Sequence, residues 1–357
     1  MSLGKYLSIR KSFFFMIVGA IVFLVYLYFF VGLGEILPVL QRIDYVRFLP
    51  YYVLALVFAA CSLFLYSASW KKLLDALSIK ISWTKAFQYH SVGNFVDLMV
   101  PCETICGEVV RVQLVYEEGG RENYGRILSS TFVNRIQANM MYVGGLSVGA
   151  LVILFGHSSM LGYLIDPLLI FMIGTVIYNV VLIYMIAKPG TAKKLFSGFL
   201  RFAQIISLKR FKRDRLLARA EGPLRNFETG FQLFRENPKK LIMPTILLFL
   251  SWVCSILSFF LVFFALNFLF LPVYFYLVGF SLVISIQGII ATLSVGALDI
   301  FMTQFLSLYK ISIGASGVAV LLVRFVIFWF PIILGYGIIQ YAGARTLLSA
   351  SSDQKKK

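Results

Sequence analysis

The chain has 357 residues, of which 60% are hydrophobic and 14% charged, with a formal net charge of +17. Soluble domains carry roughly 25% charged residues, so a chain this apolar is neither a soluble enzyme nor a nucleic-acid-binding domain, despite its charge. The basic residues are concentrated: from Lys188 to Leu241, fourteen Lys or Arg stand against four Asp or Glu, as in a cytoplasmic loop beside membrane spans.

Taken in order, Lys5, Arg10 and Lys11 precede an uncharged run from Phe13 to Val31. About 20 apolar residues cross a bilayer. This run is too long for the apolar part of a signal peptide, and no small-residue cleavage site follows it. It reads as a retained first span with the N-terminus inside. The neutral loop Glu35–Arg47 then lies outside, and Leu49–Ser69 returns the chain to an inside cluster of Lys71, Lys72, Lys80 and Lys85.

The next region is not an ordinary span. Ala86–Val100 contains His90, Asn94 and Asp97 and stops at Pro101; Glu103–Glu108 opens a second short amphipathic stretch that ends near Tyr116. Two short polar helices joined by Pro and Gly predict a re-entrant hairpin over 86–116, with irregular backbone covered by protein or water. Ile127–Phe155 then goes out, carrying Asn134, Arg135, Gln137 and Asn139 in its first half. Tyr163–Ala187 comes back to the basic segment 188–240, whose stretches Leu195–Ile206 and Arg215–Phe234 read as helices lying at the interface.

Leu241–Leu271 is the next span. Pro272–Leu293 is apolar, Ser294–Asp299 interrupts it, and Ile300–Tyr309 completes a second hairpin over 273–309. Gly314–Ala342 is the last span; it contains Arg324 and ends near Arg345 and Lys355–Lys357, inside again. Fold class is therefore all-α. The chain is a polytopic membrane protein of about six full spans plus two hairpins, in a single transmembrane domain 1–357.

The two hairpins invite comparison. In each, a Gly-containing polar stretch holds a carboxylate, and the following long helix holds an arginine. Glu108 to Arg135 is 27 residues and Asp299 to Arg324 is 25. By the topology above, the first hairpin enters from the cytoplasm and the second from outside. That predicts an inverted-topology pseudo-repeat, with 49–187 and 241–345 as its halves, an arrangement that places substrate sites at the midplane of transporters.

Ionisable groups at membrane depth cost from ~2.5 to over 10 kcal/mol, so they are functional or paired. The candidates are Asp97, Glu108, Arg111, Arg135, Asp299 and Arg324, with Asn94 beside Asp97. Glu108 and Arg111, three apart, share a helix face. Arg135 and Arg324, one in each half, suit a phosphate because a guanidinium pairs with it bidentately. Equally, Glu108–Arg135 and Asp299–Arg324 can be structural ion pairs. His90 and His157 read as incidental. The cysteines, Cys61, Cys102, Cys106 and Cys254, form no disulfide framework; Cys102 and Cys106 read as small packing residues rather than a metal site. There is no phosphate loop, no HExxH and no Ser/His/Asp set, so neither a cofactor nor a metal is expected and the chain reads as a transporter rather than an enzyme.

The run Gly93-Asn94-Phe95-Val96-Asp97-Leu98-Met99-Val100-Pro101, then Gly107-Glu108-Val109-Val110-Arg111 and the Asn134-Arg135 span, resembles the lysylphosphatidylglycerol synthase transmembrane-region family, also called flippase-like. Its members show G-x-F-x-N, then P, then G-G-E-x-x-R, then a D/N-R span. The resemblance runs from span two onward. Asp97 stands where Asn is usual, and Cys106 replaces the first Gly of the pair. The second motif, Ser294–Asp299, is degenerate, so Asp299 is the least secure site residue.

The resemblance implies movement of an anionic phospholipid or polyprenyl-phosphate-linked lipid between membrane leaflets; by its charge pattern the chain reads as a multi-pass protein of the plasma membrane with both termini cytoplasmic. It points to Glu108, Arg111 and Arg135 as the leading site residues. The aminoacyl-transfer domain of some relatives is absent from this sequence. The competing functions are an integral-membrane enzyme on a lipid-linked substrate, with Glu108 as base, and an accessory subunit of an envelope glycosyltransferase complex. A homo-oligomer or a glycosyltransferase partner is compatible with the sequence.

Overall fold

A computed structural model of the chain describes residues 41–99, 105–118, 123–156, 227–289, 294–307 and 309–354, with separate positions within 21–39 and 169–188 and residue 225. The expected spans Phe13–Val31 and Tyr163–Ala187, and most of the basic segment 188–240, lie outside the described residues. The described residues are helical with short connections, and none is in a strand. The chain is all-α.

The helices are α1 Tyr45–Ala76, α2 Trp83–Met99, α3 Ile105–Glu117, α4 Tyr124–Gly156 and α5 at 227–236. A 3-10 turn, Pro238–Leu241, leads into α6 Ile242–Ala265; then follow α7 Val273–Ile289, α8 Ser294–Ser307, α9 Ile313–Arg324 and α10 Phe330–Gln354. Among the described residues three stretches are long and apolar enough to cross a membrane: Tyr45–Ala76, Pro238–Ala265 and Ile313–Ala342. Their apolar side chains include exposed Leu49, Val53, Val57, Phe64, Ile246 and Phe249. Exposed apolar faces of this extent belong against lipid. By contrast α2 has 17 residues and α3 has 13, roughly 25 and 20 Å at 1.5 Å per residue, short of the ~30 Å hydrocarbon core.

The structure divides into two compact units. The first comprises the described parts of Met1–Phe64 with Phe87–Arg111 and Ser251–Lys357. Within it, α1 and α6 meet through small hydroxyl residues: Ser62 Oγ lies 2.6 Å from Ser255 Oγ and 3.0 Å from Ser251 Oγ, and Ser258 donates to the Ala55 carbonyl at 2.8 Å. Small residues let helix backbones approach closely where the hydrophobic effect provides no drive. Helices α6, α7 and α8 share an aromatic core of Phe259, Phe263, Phe275 and Phe305, with Phe275 stacked on Phe305 at 5.3 Å. The stretch Ser294–Asp299, expected to interrupt the chain, forms the first turns of α8. Asp299 therefore sits inside a helix.

Helix α9 starts at Ser312, whose side chain accepts from the Ala315 amide, and continues through a π turn, Phe325–Trp329, into α10. Pro331 lacks the amide that would bond to the Ile327 carbonyl, and the ladder widens just before it: Phe330 donates to the Phe325 carbonyl. This places Phe328 and Ile332 against Phe95, Val96, Leu98 and Met99 of α2, and Val110 of α3 packs on the same cluster.

Helices α2 and α3 form an antiparallel pair closed by two glycines. A Cβ on Gly107 would run into the Gly93 carbonyl oxygen and lie 2.5 Å from Asp97 Cγ; one on Gly93 would lie 2.6 Å from Arg111 Cγ. No larger residue fits at this crossing.

The second unit, Leu65–Ala86 with Val112–Leu250, rests on polar contacts. Trp70 donates to Ser130 Oγ, Asn134 to Ser69 Oγ and Gln137 to Thr245 Oγ1, at 3.2, 3.0 and 2.7 Å. Helix α5 turns its apolar side to the protein: Phe227, Phe231 and Phe234 are buried, and Phe227 meets Phe132 edge-on at 5.4 Å. The apolar residues at this end of the basic segment face the protein interior, so this part does not lie with its apolar face in the interface.

The glycine crossing makes a direct prediction. Gly107→Ala is expected to destabilise the protein by about 1–3 kcal/mol through overpacking. Gly337→Ala, at a position with nothing within 4 Å of the added carbon, is expected to be neutral or slightly stabilising. Apparent Tm values in detergent, measured side by side, check the difference.

Candidate functional site

A helix leaves its first amides without intrahelical partners. Gly107 is the third residue of α3, and its amide donates to Asp97 Oδ1, from α2, at 2.7 Å. The carboxylate also meets the positive end of the helix dipole. An Asn at this position would present the same accepting Oδ1. Asp97 is half-buried, and His90, Asn94 and Asp97, at i, i+4 and i+7, occupy one face of α2.

Opposite that face, Glu108 and Arg111 of α3 form the ion pair that their spacing predicts: Arg111 Nη2 lies 2.8 Å from Glu108 Oε1. The residues are 9% and 3% exposed. Arg111 Nη1 lies 3.2 Å from His90 Nδ1, and His90 itself is buried. The structure thus brings Asn94, Asp97, Glu108 and Arg111 onto the two facing helices and adds His90, which sequence reasoning set aside. Its spacing from Asn94 and Asp97 was the available signal.

The second cluster is a pair. Arg324 Nε donates to Asp299 Oδ1 at 2.5 Å, with Asp299 fully buried and Arg324 4% exposed. The ion pair between these two residues, one of the two readings their sequence positions allow, is present. The Arg324 guanidinium carbon stands 5.6 Å from the Phe328 ring centre, a cation–π contact. Arg135 is half-buried on α4, in the second unit, beside the buried Asn134.

One cysteine differs from expectation. Cys106 is disulfide-bonded, whereas Cys61 and Cys254 carry free thiols. Cys106 also packs against the α2–α10 cluster, so it contributes packing as expected but is not a free thiol. Sequence spacing alone does not reveal such a bond, because it requires Cα atoms within about 7 Å.

Long helices with exposed apolar faces, and charges buried in pairs, define a polytopic helical membrane protein. Residues 16–335 match the family described as the lysylphosphatidylglycerol synthase TM region, and the chain belongs to that family. It is similar to a UPF0104 membrane protein of Methanothermobacter thermautotrophicus, with 23% identity over 346 residues, covering 92% of this chain and 95% of that protein. No solved structure matches the chain.

Two predictions follow from the geometry. Asp97→Asn keeps the cap and is expected to leave stability within about 0.5 kcal/mol, whereas Asp97→Ala is expected to lose about 1–2 kcal/mol; equal losses in thermal unfolding would refute the capping role. For the second cluster, Arg324→Met alone strands a buried carboxylate and is expected to cost about 3–5 kcal/mol. The double variant Asp299→Leu/Arg324→Met is expected to recover most of that loss, and the same unfolding assay measures it.

Proposed function

We propose that the protein moves an anionic lipid between membrane leaflets, as a flippase or scramblase, by receiving its phosphate headgroup at the α2–α3 pair. The observation that carries this reading is the buried Glu108–Arg111 pair of α3, packed against α2, both helices being too short to cross a bilayer. Charge is costly at membrane depth, and a guanidinium is the side chain best shaped for phosphate. A phosphate arriving here can exchange with Glu108 as the partner of Arg111, so the guanidinium is never left without an anion. Membership of the lysylphosphatidylglycerol synthase TM region family supports a lipid substrate.

On this reading α2–α3 and α7–α8 are re-entrant hairpins of an inverted pseudo-repeat, one entering from each side of the plasma membrane. Asn94 and Asp97 line the site, and Arg135, on α4 of the second unit, remains a separate candidate for phosphate binding. Asp299 and Arg324, sealed against each other, hold α8 to α9 rather than contact the headgroup. The substrate is a phospholipid or a polyprenyl-phosphate-linked lipid, and both chain termini are cytoplasmic.

The test is leaflet exchange of fluorescent phosphatidylglycerol in vesicles of phosphatidylcholine and phosphatidylglycerol containing the purified protein. Exchange is expected to exceed that of protein-free vesicles, and Arg111→Lys, which keeps charge but loses the planar fork, is expected to lower it about tenfold or more. A rate equal to protein-free vesicles, for both this lipid and a polyprenyl phosphate, counts against transport. A chemically altered lipid in the same vesicles points to an enzyme instead.

A further inference from the structure

The α2 face opposite Arg111 is built as a seat. Gly93 leaves room for the aliphatic part of the arginine, whose Cγ would lie 2.6 Å from any Cβ at that position. One turn earlier, His90 Nδ1 lies 3.2 Å from Arg111 Nη1, while Glu108 Oε1 holds Nη2 at 2.8 Å. The guanidinium is therefore gripped at both of its terminal nitrogens, from two different helices.

A grip at one nitrogen leaves a guanidinium plane able to swing about that bond. A grip at both fixes the plane, and the direction of a fork is what bidentate phosphate recognition depends on. Arginine has donors only, so His90 Nδ1 must be the unprotonated, accepting nitrogen and the ring proton resides on Nε2. A protonated ring would set N–H against N–H and charge against charge. The charged groups at this ring are Arg111, in contact with it, and Glu108, the partner of Arg111; Asp97 lies two turns farther along α2, at Gly107.

We infer that His90 is a positioning residue of the anion site: neutral, with Nε2 protonated, it fixes the plane of Arg111 for a phosphate. This rests on the phosphate-transport reading above, but its placement can be tested without transport. The chain has two histidines, His90 and His157, so His157→Gln leaves His90 as the single histidine signal in the full-length protein.

Nitrogen NMR of histidine-labelled protein in nanodiscs of phosphatidylcholine and phosphatidylglycerol at neutral pH reads the tautomer directly. A neutral ring protonated at Nε2 is expected, relaxing to a mixture of tautomers in Arg111→Gln. A ring protonated at Nδ1, an imidazolium, or a signal indifferent to Arg111→Gln would overturn the inference. In the vesicle assay with fluorescent phosphatidylglycerol, His90→Leu is expected to lower exchange about tenfold. His90→Asn, whose side-chain oxygen reaches about where Nδ1 sits, is expected to stay within roughly threefold of wild type, since it restores the acceptor. Equal loss in the two variants, at equal thermal stability, also overturns it. Wild-type protein that exchanges no lipid defeats the transport reading, and the tautomer experiment then decides the His90–Arg111 contact by itself.

Discussion

Contact between the backbones of Gly93 and Gly107 is the constraint on which the rest of the α2–α3 pair depends. Only with two glycines at the crossing can Asp97 reach the Gly107 amide, and only at that separation can His90 reach Arg111. Each of these bonds gives a polar group a partner across the crossing, a net contribution of about 0.5–1.5 kcal/mol apiece. Close approach thus precedes the polar chemistry. A pair of helices held farther apart would lose both cross-helix bonds.

The buried ion pairs of the first unit differ in what surrounds them. Asp299 is fully buried and its bond to Arg324 is short, with Phe328 beneath the guanidinium. An ion pair so enclosed has little exchange with other anions, and its replacement by apolar residues is often neutral for stability. The Glu108 side chain retains 12% exposure, and Arg111 shares its guanidinium between a charged and a neutral acceptor. An arginine with one neutral partner can take a second anion at less loss than one committed to a single enclosed carboxylate. On the proposed reading, that asymmetry, rather than the similar spacing of acid and arginine along the chain, separates the receptive pair from the fastening one.

Much of the fold was legible because hydropathy and punctuation are local properties. The apolar runs at Leu49–Ser69, Leu241–Leu271 and Gly314–Ala342 coincide with α1, α6 and the α9–α10 stretch. The Glu108–Arg111 pair follows from helix periodicity alone. His90 could not be assigned in this way: its partner is 21 residues away, and only the crossing of two helices brings them together. The same reason hid the direction of α5, whose Phe227, Phe231 and Phe234 would suit a lipid surface or a protein groove equally well on composition. Ser294–Asp299 misled in the opposite sense. Its Ser and Gly suggest a break, yet these residues continue as helix because packing overrides weak local propensity.

The π turn gives the two clusters a physical connection within the first unit. Arg324 is the last residue of α9, and its guanidinium stands over Phe328, one turn later. Phe328 is packed with Phe95 and Met99, on the helix that carries His90, Asn94 and Asp97. The widened ladder at Phe325–Trp329 sets which side chain faces α2, and Pro331 keeps it from closing to a regular α-helix. A change at Asp299 that released Arg324 would therefore be felt first at Phe328. From there it would reach the apolar side of α2 before any change in the charged groups that α2 presents to α3. Packing through Phe328 thus links the two clusters without any direct contact between their charges.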